Sequence, residues 1–363
     1  MRASTALPWL ALAGVIGYYT WHDTVTAPDA PALPALQAEQ PLPAAGGGPV
    51  SYAPAVARAA PAVVNIYTTQ TVRETAHPFF GHPWFAPPQT RERTASSLGS
   101  GVIVSADGYV LTNDHVVARA DRIVVALRDG REVAAKVVGS DPDSDLAVLR
   151  IQLDKLPVLP FRSSPSAVGD VVLAIGNPFG VGQTVTQGII SALGRSGLGI
   201  NTYEDFIQTD AAINPGNSGG ALVDVAGNLL GINTAIYSRS GGSMGIGFAI
   251  PAAVARDVMN DIVSQGRVVR GWLGVEIARR GDDDAVVIAS VLPGGPGDRG
   301  GLRDGDVLRQ VEGEDVTSPD QVIRQIGRLK PGKSVAVQVD REGREKLLTV
   351  TMGERPRQRR REE

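Results

Sequence analysis

The seven residues Asn214-Pro215-Gly216-Asn217-Ser218-Gly219-Gly220 contain the feature on which the expected fold depends, a serine enclosed by glycines. Glycine adopts backbone conformations that are closed to other residues, so such a serine can lie on a tight turn with its hydroxyl exposed. Ordinary hairpin turns can also spell this short pattern. A serine nucleophile needs a base and a residue that orients the base, so the rest of the sequence must supply both.

Both partners are present upstream of the serine. His115 lies at the end of a predicted strand, and Asp145 directly precedes an apolar run, Leu146–Leu149. Taken singly, a histidine at a strand end is usually structural, and an aspartate before a strand usually forms a turn. Together, His115, Asp145 and Ser218 follow the chain order His…Asp…Ser of the chymotrypsin-type catalytic triad.

Further motifs accompany these three and make a family resemblance specific. They are Gly99-Ser100-Gly101-Val102-Ile103, Ala174–Gly180, Gln208–Ile213 and Gly245–Pro251. As a set, from Tyr52 to Met352, the motifs resemble those of the HtrA (Deg) family of trypsin-like serine proteases. The resemblance implies a mainly β fold: a chymotrypsin-like double β-barrel, with the triad in the cleft between barrels, followed by a smaller α+β PDZ domain.

The resemblance also implies a role for each triad residue. Ser218 would attack the scissile carbonyl, His115 would move the proton, and Asp145 would fix the imidazole. The oxyanion hole is expected at Gly216, Asn217 and Ser218, with the N–H groups of Gly216 and Ser218 as donors.

The resemblance to trypsin-like proteases implies that the residue six positions before the nucleophile lies at the base of the primary specificity pocket. That residue is Ala212, followed by Ile213, and neither can pair with an arginine or lysine side chain. A small apolar residue such as valine or alanine is therefore expected before the scissile bond. The other predicted substrate-binding residues are Thr234, Ala235 and Ile236.

A second resemblance covers the C-terminal part of the chain. The stretches Arg270–Val275 and Gly301–Leu308 resemble the PDZ domain of the same family. In such domains consecutive backbone N–H groups capture a peptide C-terminus beside a strand edge. The predicted peptide-binding residues are Gly271, Trp272, Leu273, Gly274 and Val275.

Composition narrows the remaining possibilities. The 363 residues predict two or three domains, and 43 glycines with 25 prolines favour short strands joined by turns. A net charge of −3 gives no basic field for nucleic acid. No cysteine is present, which excludes disulfides, thiolate zinc sites and cysteine nucleophiles. His77 and His82 lie in an aromatic loop, for which an apolar role is favoured over a metal site; no cofactor or metal is expected.

The N-terminal segment predicts export. Ala3–Trp21 is a charge-free run of 19 residues behind Arg2, near the lower limit for a membrane helix. Pro28 directly follows the only plausible cleavage site, so an uncleaved inner-membrane anchor is favoured, with a cleaved signal and a soluble periplasmic form as the alternative. The expected domains are an anchor or signal at 1–26, a Pro/Ala/Gly linker at 27–51, a protease domain at 52–255, a connecting helix and linker at 256–269, a PDZ domain at 270–352 and a polar tail at 353–363.

One PDZ domain, an anchor and the stretch Ser191–Leu198 resemble the DegS type most closely. That type implies a periplasmic homotrimer, activated when its PDZ domain binds C-terminal peptides of misfolded outer-membrane proteins, that cleaves a membrane-spanning anti-sigma factor. Arg195 and Pro215 are the predicted regulatory residues. The long Phe-rich loop Val72–Ser97 resembles instead the general quality-control members, and a PDZ scaffold with a silent protease is a third hypothesis.

Overall fold

The computed structural model describes residues 37, 51–75, 90–177, 182–236, 242–281 and 285–356. The expected anchor or signal at 1–26, nearly all of the 27–51 linker, the two loop histidines His77 and His82 and the tail from 357 onward lie outside these ranges. Within them, no helix is long and apolar enough to cross a membrane.

Seven antiparallel strands form the first sheet, in the order β5-β4-β1-β2-β3-β7-β6. They are β1 (Val63–Thr75), β2 (Thr90–Ile103), β3 (Tyr109–Thr112), β4 (Arg122–Ala126), β5 (Glu132–Ala134), β6 (Lys136–Asp141) and β7 (Leu146–Arg150). A short helix, α1 (Ala53–Ala59), leads into β1, and a one-turn helix, α2 (Asp114–Val117), follows β3. Branched apolar side chains such as Ile66, Val110 and Leu149 fill the core of this sheet.

The second sheet closes into a six-stranded barrel, β10-β13-β12-β11-β8-β9. Its strands are β8 (Val171–Gly176), β9 (Thr184–Arg195), β10 (Phe206–Thr209), β11 (Ala221–Asp224), β12 (Leu229–Ile236) and β13 (Gly247–Pro251). Closure satisfies the hydrogen bonds of both edge strands within the sheet. The many short β-branched runs in the sequence therefore form a seven-stranded sheet and one closed six-stranded barrel, whereas the family resemblance implies two barrels.

A single long helix, α3 (Ala252–Gln265), packs over both sheets. It begins after Pro251 and ends at Gly266, whose φ of 72° is the left-handed conformation typical of a helix C-terminus. Its buried residues Val258 and Ile262 share one core cluster with Leu146 of the first sheet and Leu173 of the second. The expected domain division between residues 255 and 256 falls inside this helix.

The C-terminal unit is a small α+β fold with its own core. Its strands are β14 (Gly271–Trp272), β15 (Val275–Arg280), β16 (Ala285–Val291), β17 (Val307–Val311), β18 (Glu314–Asp315), β19 (Ser334–Arg341), β20 (Arg344–Thr351) and β21 (Gly353–Glu354), and its helices are α4 (Pro296–Arg299) and α5 (Pro319–Arg328). The order β15-β16-β17-β19-β20 leaves β15 at an edge, while Val322 and Ile326 of α5 are buried in the core. The predicted fold class, mainly β with an α+β C-terminal unit, is confirmed.

A buried ion pair joins the C-terminal unit to the first sheet. The two terminal guanidinium nitrogens of Arg270, Nη1 and Nη2, donate to the Asp141 carboxylate at 2.8 and 2.6 Å. The guanidinium carbon also lies 4.3 Å from the ring centroid of Tyr203. Burial raises the pKa of Tyr203, although Arg355 and Arg270 oppose the shift. The two units are therefore in direct contact through charged and aromatic side chains.

Candidate active site

Neighbouring strands bring the predicted base and its acid together. His115 lies on α2, directly after β3, and Asp145 directly precedes β7, which pairs with β3. The His115 Nδ1 atom lies 2.8 Å from Oδ2 and 2.9 Å from Oδ1 of Asp145. The carboxylate can only accept hydrogen bonds, so Nδ1 carries the proton and Nε2 is left free to accept one.

The environments of the two side chains differ in the way that this chemistry needs. Asp145 is buried, and its conformation with φ of 56° is held by a hydrogen bond of 2.9 Å from Asn113 Nδ2 to its carbonyl. The backbone N–H of His115 also donates to Asp145 Oδ1, at 3.0 Å. The imidazole, in contrast, is 50% exposed. Asp145 is thus held in place, while the His115 imidazole is half exposed.

Thr234 has a contact that sequence reasoning missed. Its hydroxyl donates to Asp145 Oδ2 at 2.6 Å. Thr234 lies on β12 of the barrel, whereas Asp145 precedes β7 of the first sheet. Thr234 was expected among the substrate-binding residues. Nothing in the local sequence distinguishes it from an ordinary buried strand threonine.

Ser218 lies on a turn that packs directly against the first sheet. Its carbonyl accepts a hydrogen bond of 2.8 Å from the backbone N–H of Ser100. The next residue, Gly219, has φ of 82°, and a side chain there would overlap the Ser100 carbonyl oxygen. The Ser218 hydroxyl donates to the Thr234 carbonyl at 3.2 Å. Among the described contacts, Ser218 and His115 share no hydrogen bond. Such bonds are often absent without substrate and form in the reactive complex.

The residues before the serine form a tight turn. The N–H of Asn217 donates to the Asn214 carbonyl at 3.0 Å, and Gly216 has φ of 100°. Pro215 followed by glycine with positive φ is the pattern of a type II turn. Rotating the peptide unit between Pro215 and Gly216 by about 180° converts type II into type I without breaking the closing bond. Glycine permits both forms.

The predicted specificity residues lie in the barrel. Ala212 is half-buried, and its carbonyl accepts a hydrogen bond of 2.8 Å from Thr186 Oγ1. Ile213 is 1% exposed and packs in the barrel core, where a Cβ on Gly247 would lie 2.8 Å from its Cδ1 atom. The side chains of Ala235 and Ile236 lie outside the described part of the structure.

Arg195 contacts its own barrel. Its Nε atom donates to Gln208 Oε1 on β10 at 2.9 Å, and the side chain is exposed. The structure does not bring Arg195 into contact with Pro215 or with the C-terminal unit among the described contacts. Instead, α5 of that unit contacts residues further along the same loop: Arg324 Nη1 donates to the Glu204 carbonyl at 3.1 Å.

The predicted carboxylate-binding loop follows β14. The carbonyl of Leu273 accepts a hydrogen bond of 2.6 Å from the N–H of Gly297. The carbonyl of Gly274 accepts one of 2.9 Å from the N–H of Leu292. Within the described residues, their own N–H groups have no hydrogen-bond partner. Gly274 has φ of 70°, and one left-handed residue turns successive N–H groups toward the same side. Successive N–H groups arranged in this way can accept an anion.

No group of histidine and acidic side chains in the described ranges could hold a metal ion.

Comparisons with known proteins agree with this geometry. A model of the trypsin-like peptidase domain matches residues 99–232, and a model of the PDZ domain matches residues 271–352. The chain is 47% identical over 326 residues to a probable periplasmic serine endoprotease, DegP-like, of Hahella chejuensis, covering 83% of this chain and 69% of that protein. A relative of the same description from Halomonas elongata is 45% identical, covering 83% of this chain and 70% of the relative.

Solved structures extend the comparison. The HtrA-type protease AlgW with a decapeptide is 54% identical, with a TM-score of 0.74, and covers 85% of this chain and 100% of its own. The serine endoprotease from Yersinia pestis is 42% identical, with a TM-score of 0.66, and covers the same shares. The predicted family is confirmed: the chain belongs to the HtrA family, and it is a periplasmic trypsin-like serine endoprotease with one PDZ domain.

Proposed function

We propose that the enzyme hydrolyses peptide bonds with Ser218 as nucleophile, His115 as general base and acid, and Asp145 as the group that orients His115. The observation that carries this proposal is the contact of His115 Nδ1 with both oxygens of a buried carboxylate, because a neutral imidazole that donates from Nδ1 accepts at Nε2. A histidine in this state can take the hydroxyl proton of Ser218 and later return it to the leaving amine.

The oxyanion hole is formed by the backbone of the nucleophile and of the two residues that precede it. The N–H groups of Gly216 and Ser218 stabilise the negative charge on the tetrahedral intermediate, at about 3 kcal/mol per donor. Asn217 lies between them, with its side chain buried. Its proposed contribution is to the backbone shape of the hole.

Substrate preference follows from the lining near Ala212. A half-buried alanine and the absence of an acid at this position favour a small apolar side chain before the scissile bond. Asp210, the nearest acid, is engaged elsewhere, because its carboxylate accepts a hydrogen bond of 2.7 Å from the N–H of Ile189. Arginine and lysine side chains would find no partner there.

The PDZ domain binds the C-termini of proteins. The unpartnered N–H groups of Leu273 and Gly274 would hold the terminal carboxylate, and the rest of the peptide would pair with the open edge of β15. Related AlgW structures carry a decapeptide or a tripeptide, which supports peptide binding by this fold. The expected ligands are C-terminal peptides of misfolded outer-membrane proteins.

Peptide binding would regulate the protease through the turn at Pro215. The flip of the Pro215–Gly216 peptide unit presents either an N–H or a carbonyl to the oxyanion hole, and a peptide shifts this equilibrium only by preferring one state, commonly by about 1–3 kcal/mol. Arg195 is the proposed relay. In the cell, the enzyme would act as an anchored homotrimer that cleaves a membrane-spanning anti-sigma factor.

General quality control is the second candidate function. Two observations favour it: curated relatives are described as DegP-like, and a long Phe-rich segment, Val72–Ser97, precedes the first motif. The pure scaffold hypothesis is disfavoured by the intact His115–Asp145 pair.

The decisive experiment compares cleavage with and without peptide. Purified protein is incubated with unfolded casein and with a labelled peptide substrate, each with increasing concentrations of peptides ending in apolar residues. A regulated protease requires the peptide for rapid cleavage, whereas a quality-control protease degrades casein without it. If neither substrate is cleaved under any condition, the proposed function is wrong.

A further inference from the structure

Ser100 is the centre of a hydrogen-bond set that the proposed mechanism does not use. This serine lies on β2 and is fully buried. Its hydroxyl donates to the Gly216 carbonyl at 2.7 Å and accepts from the N–H of Asn177 at 3.0 Å. Its backbone N–H donates to the Ser218 carbonyl at 2.8 Å, and its carbonyl accepts from Thr112 Oγ1 at 2.8 Å. Every polar atom of Ser100 is therefore used.

The two carbonyls that Ser100 holds are placed around the oxyanion-hole donors. The Gly216 carbonyl belongs to the peptide unit between Gly216 and Asn217, directly after the unit that carries the Gly216 N–H. The Ser218 carbonyl belongs to the unit directly after the one that carries the Ser218 N–H. Holding both carbonyls from one residue fixes the peptide units on either side of the Ser218 donor. Rotation of either peptide unit would move the N–H group of Gly216 or of Ser218 away from the point at which both would meet the oxyanion.

The glycines on either side of Ser100 have no room for a side chain. A Cβ atom on Gly99 would lie 2.6 Å from Val116 Cγ1, and one on Gly101 would lie 2.8 Å from Ile66 Cδ1. Contacts this short exclude any side chain unless the neighbours move. The Gly-Ser-Gly motif thus places the Ser100 hydroxyl between Gly99 and Gly101, two positions at which a side chain does not fit.

Asn177 extends the same set of bonds to another loop. Its N–H donates to the Ser100 hydroxyl, and its side-chain oxygen accepts from the N–H of Gly182 at 2.9 Å. Asn177 is 2% exposed. The Ser100 hydroxyl therefore connects the oxyanion turn to Asn177 and, through the Asn177 side chain, to Gly182.

We propose that Ser100 is a positioning residue for peptide hydrolysis: its hydroxyl holds the Gly216 carbonyl so that the N–H groups of Gly216 and Ser218 converge on the developing oxyanion. The inference rests on the proposed roles of those two donors. Ser100 would not touch the substrate. Its loss would affect stabilisation of the transition state far more than binding of the substrate.

The test is Ser100→Ala, with Ser105→Ala as the matched control. Ser105 is also a fully buried serine, two residues after the end of β2, but its hydroxyl bonds to Asp107. Removing one oxyanion-hole donor costs about 10²–10³ in kcat, so displacing the donors is expected to lower kcat by about 10- to 100-fold with KM within about twofold. A peptide boronate inhibitor, whose tetrahedral adduct occupies the hole, should lose affinity by a similar factor, while the control keeps both values.

Two outcomes overturn the inference. One is a Ser100→Ala enzyme whose kcat stays within about twofold of the parent; the other is a change in KM alone. If Ser100→Ala does not fold, Ser100→Cys decides the matter, because a thiol has nearly the same shape but donates weakly. A several-fold loss of kcat at unchanged KM in that variant supports the role, and parental kcat contradicts it.

A fluorophosphonate label separates this inference from the proposed function. The parent enzyme must react at Ser218 for the mechanism to stand at all. If the parent reacts and Ser100→Ala reacts equally fast, only the role of Ser100 is wrong. If the parent itself neither reacts nor cleaves, the proposed function has failed first.

Discussion

Replacing Asp145 by asparagine should disable His115 without disturbing the surrounding backbone. The atom at the Oδ1 position accepts from the backbone N–H of His115 at 3.0 Å, so the amide oxygen must occupy that position. The amide nitrogen then takes the Oδ2 position, 2.8 Å from His115 Nδ1 and 2.6 Å from the Thr234 hydroxyl. His115 Nδ1 lies 2.9 Å from the Oδ1 position and 2.8 Å from the Oδ2 position, so an amide N–H at the nearer position favours Nδ1 as acceptor and moves the imidazole proton to Nε2.

The expected loss follows from that change of tautomer. With its proton on Nε2, His115 cannot take the proton of Ser218, and loss of the correct tautomer in such a triad lowers kcat about 10⁴-fold. At 1.36 kcal/mol per factor of ten, this is about 5 kcal/mol of transition-state stabilisation. KM should change little, because Asp145 is buried and does not reach the substrate.

Steady-state cleavage of a labelled peptide measures the effect, with Thr234→Val as the companion variant. That variant removes one donor to Asp145 but leaves the carboxylate, so a loss of about tenfold is expected from one hydrogen bond to a charged group. Circular dichroism and PDZ peptide affinity report whether either variant folds. An Asp145→Asn enzyme that keeps more than a tenth of the parental kcat would refute the reasoning about the tautomer.

Three further predictions concern other parts of the molecule. Gly216→Ala should lower kcat and destabilise the fold by about 1–2 kcal/mol, because φ of 100° is unfavourable for alanine; equal kcat and melting temperature would contradict this. Arg195→Ala should lose peptide-stimulated cleavage while peptide affinity stays within a fewfold, measured as turnover against peptide concentration; undiminished stimulation would disprove the relay. Burial of Asp306 opposes its ionisation, but hydrogen bonds from Arg341 and from the Arg303 backbone outweigh burial and hold its pKa below the usual 3.8. Its stabilisation is therefore complete above pH 3.8 and disappears as the pH falls through the lowered pKa, so Asp306→Asn should flatten the acid limb of the PDZ stability curve.

The sequence predicts the catalytic residues better than it predicts the residues that hold them in place. The order of His115, Asp145 and Ser218, together with the flanking motifs, predicts which residues carry the reaction and which family the chain belongs to. The Thr234 hydroxyl on Asp145 and the Ser100 hydroxyl on Gly216 could not be predicted, because both contacts join segments more than 80 residues apart. Contacts of this kind depend on how two sheets pack, and local patterns carry no information about it.

The fold shows the same division. Short β-branched runs predict many strands, and Pro251 and Gly266 mark the ends of α3 in the sequence. The packing of that helix across both sheets does not follow from its apolar face, which could have packed on either. The contact of Arg270 with Asp141 is likewise invisible in the sequence, since nothing near either residue specifies a partner.

Labelling of the active-site serine tests the central claim most directly. The parent enzyme and Ser218→Ala are each treated with a fluorophosphonate, digested and mapped by mass spectrometry, and their cleavage of a peptide substrate and binding of a PDZ peptide are measured in parallel. The account predicts one adduct per chain, on Ser218, with loss of cleavage on labelling, and a Ser218→Ala protein that binds the PDZ peptide but neither labels nor cleaves. Cleavage by pure Ser218→Ala, or an adduct on a different serine, would contradict it.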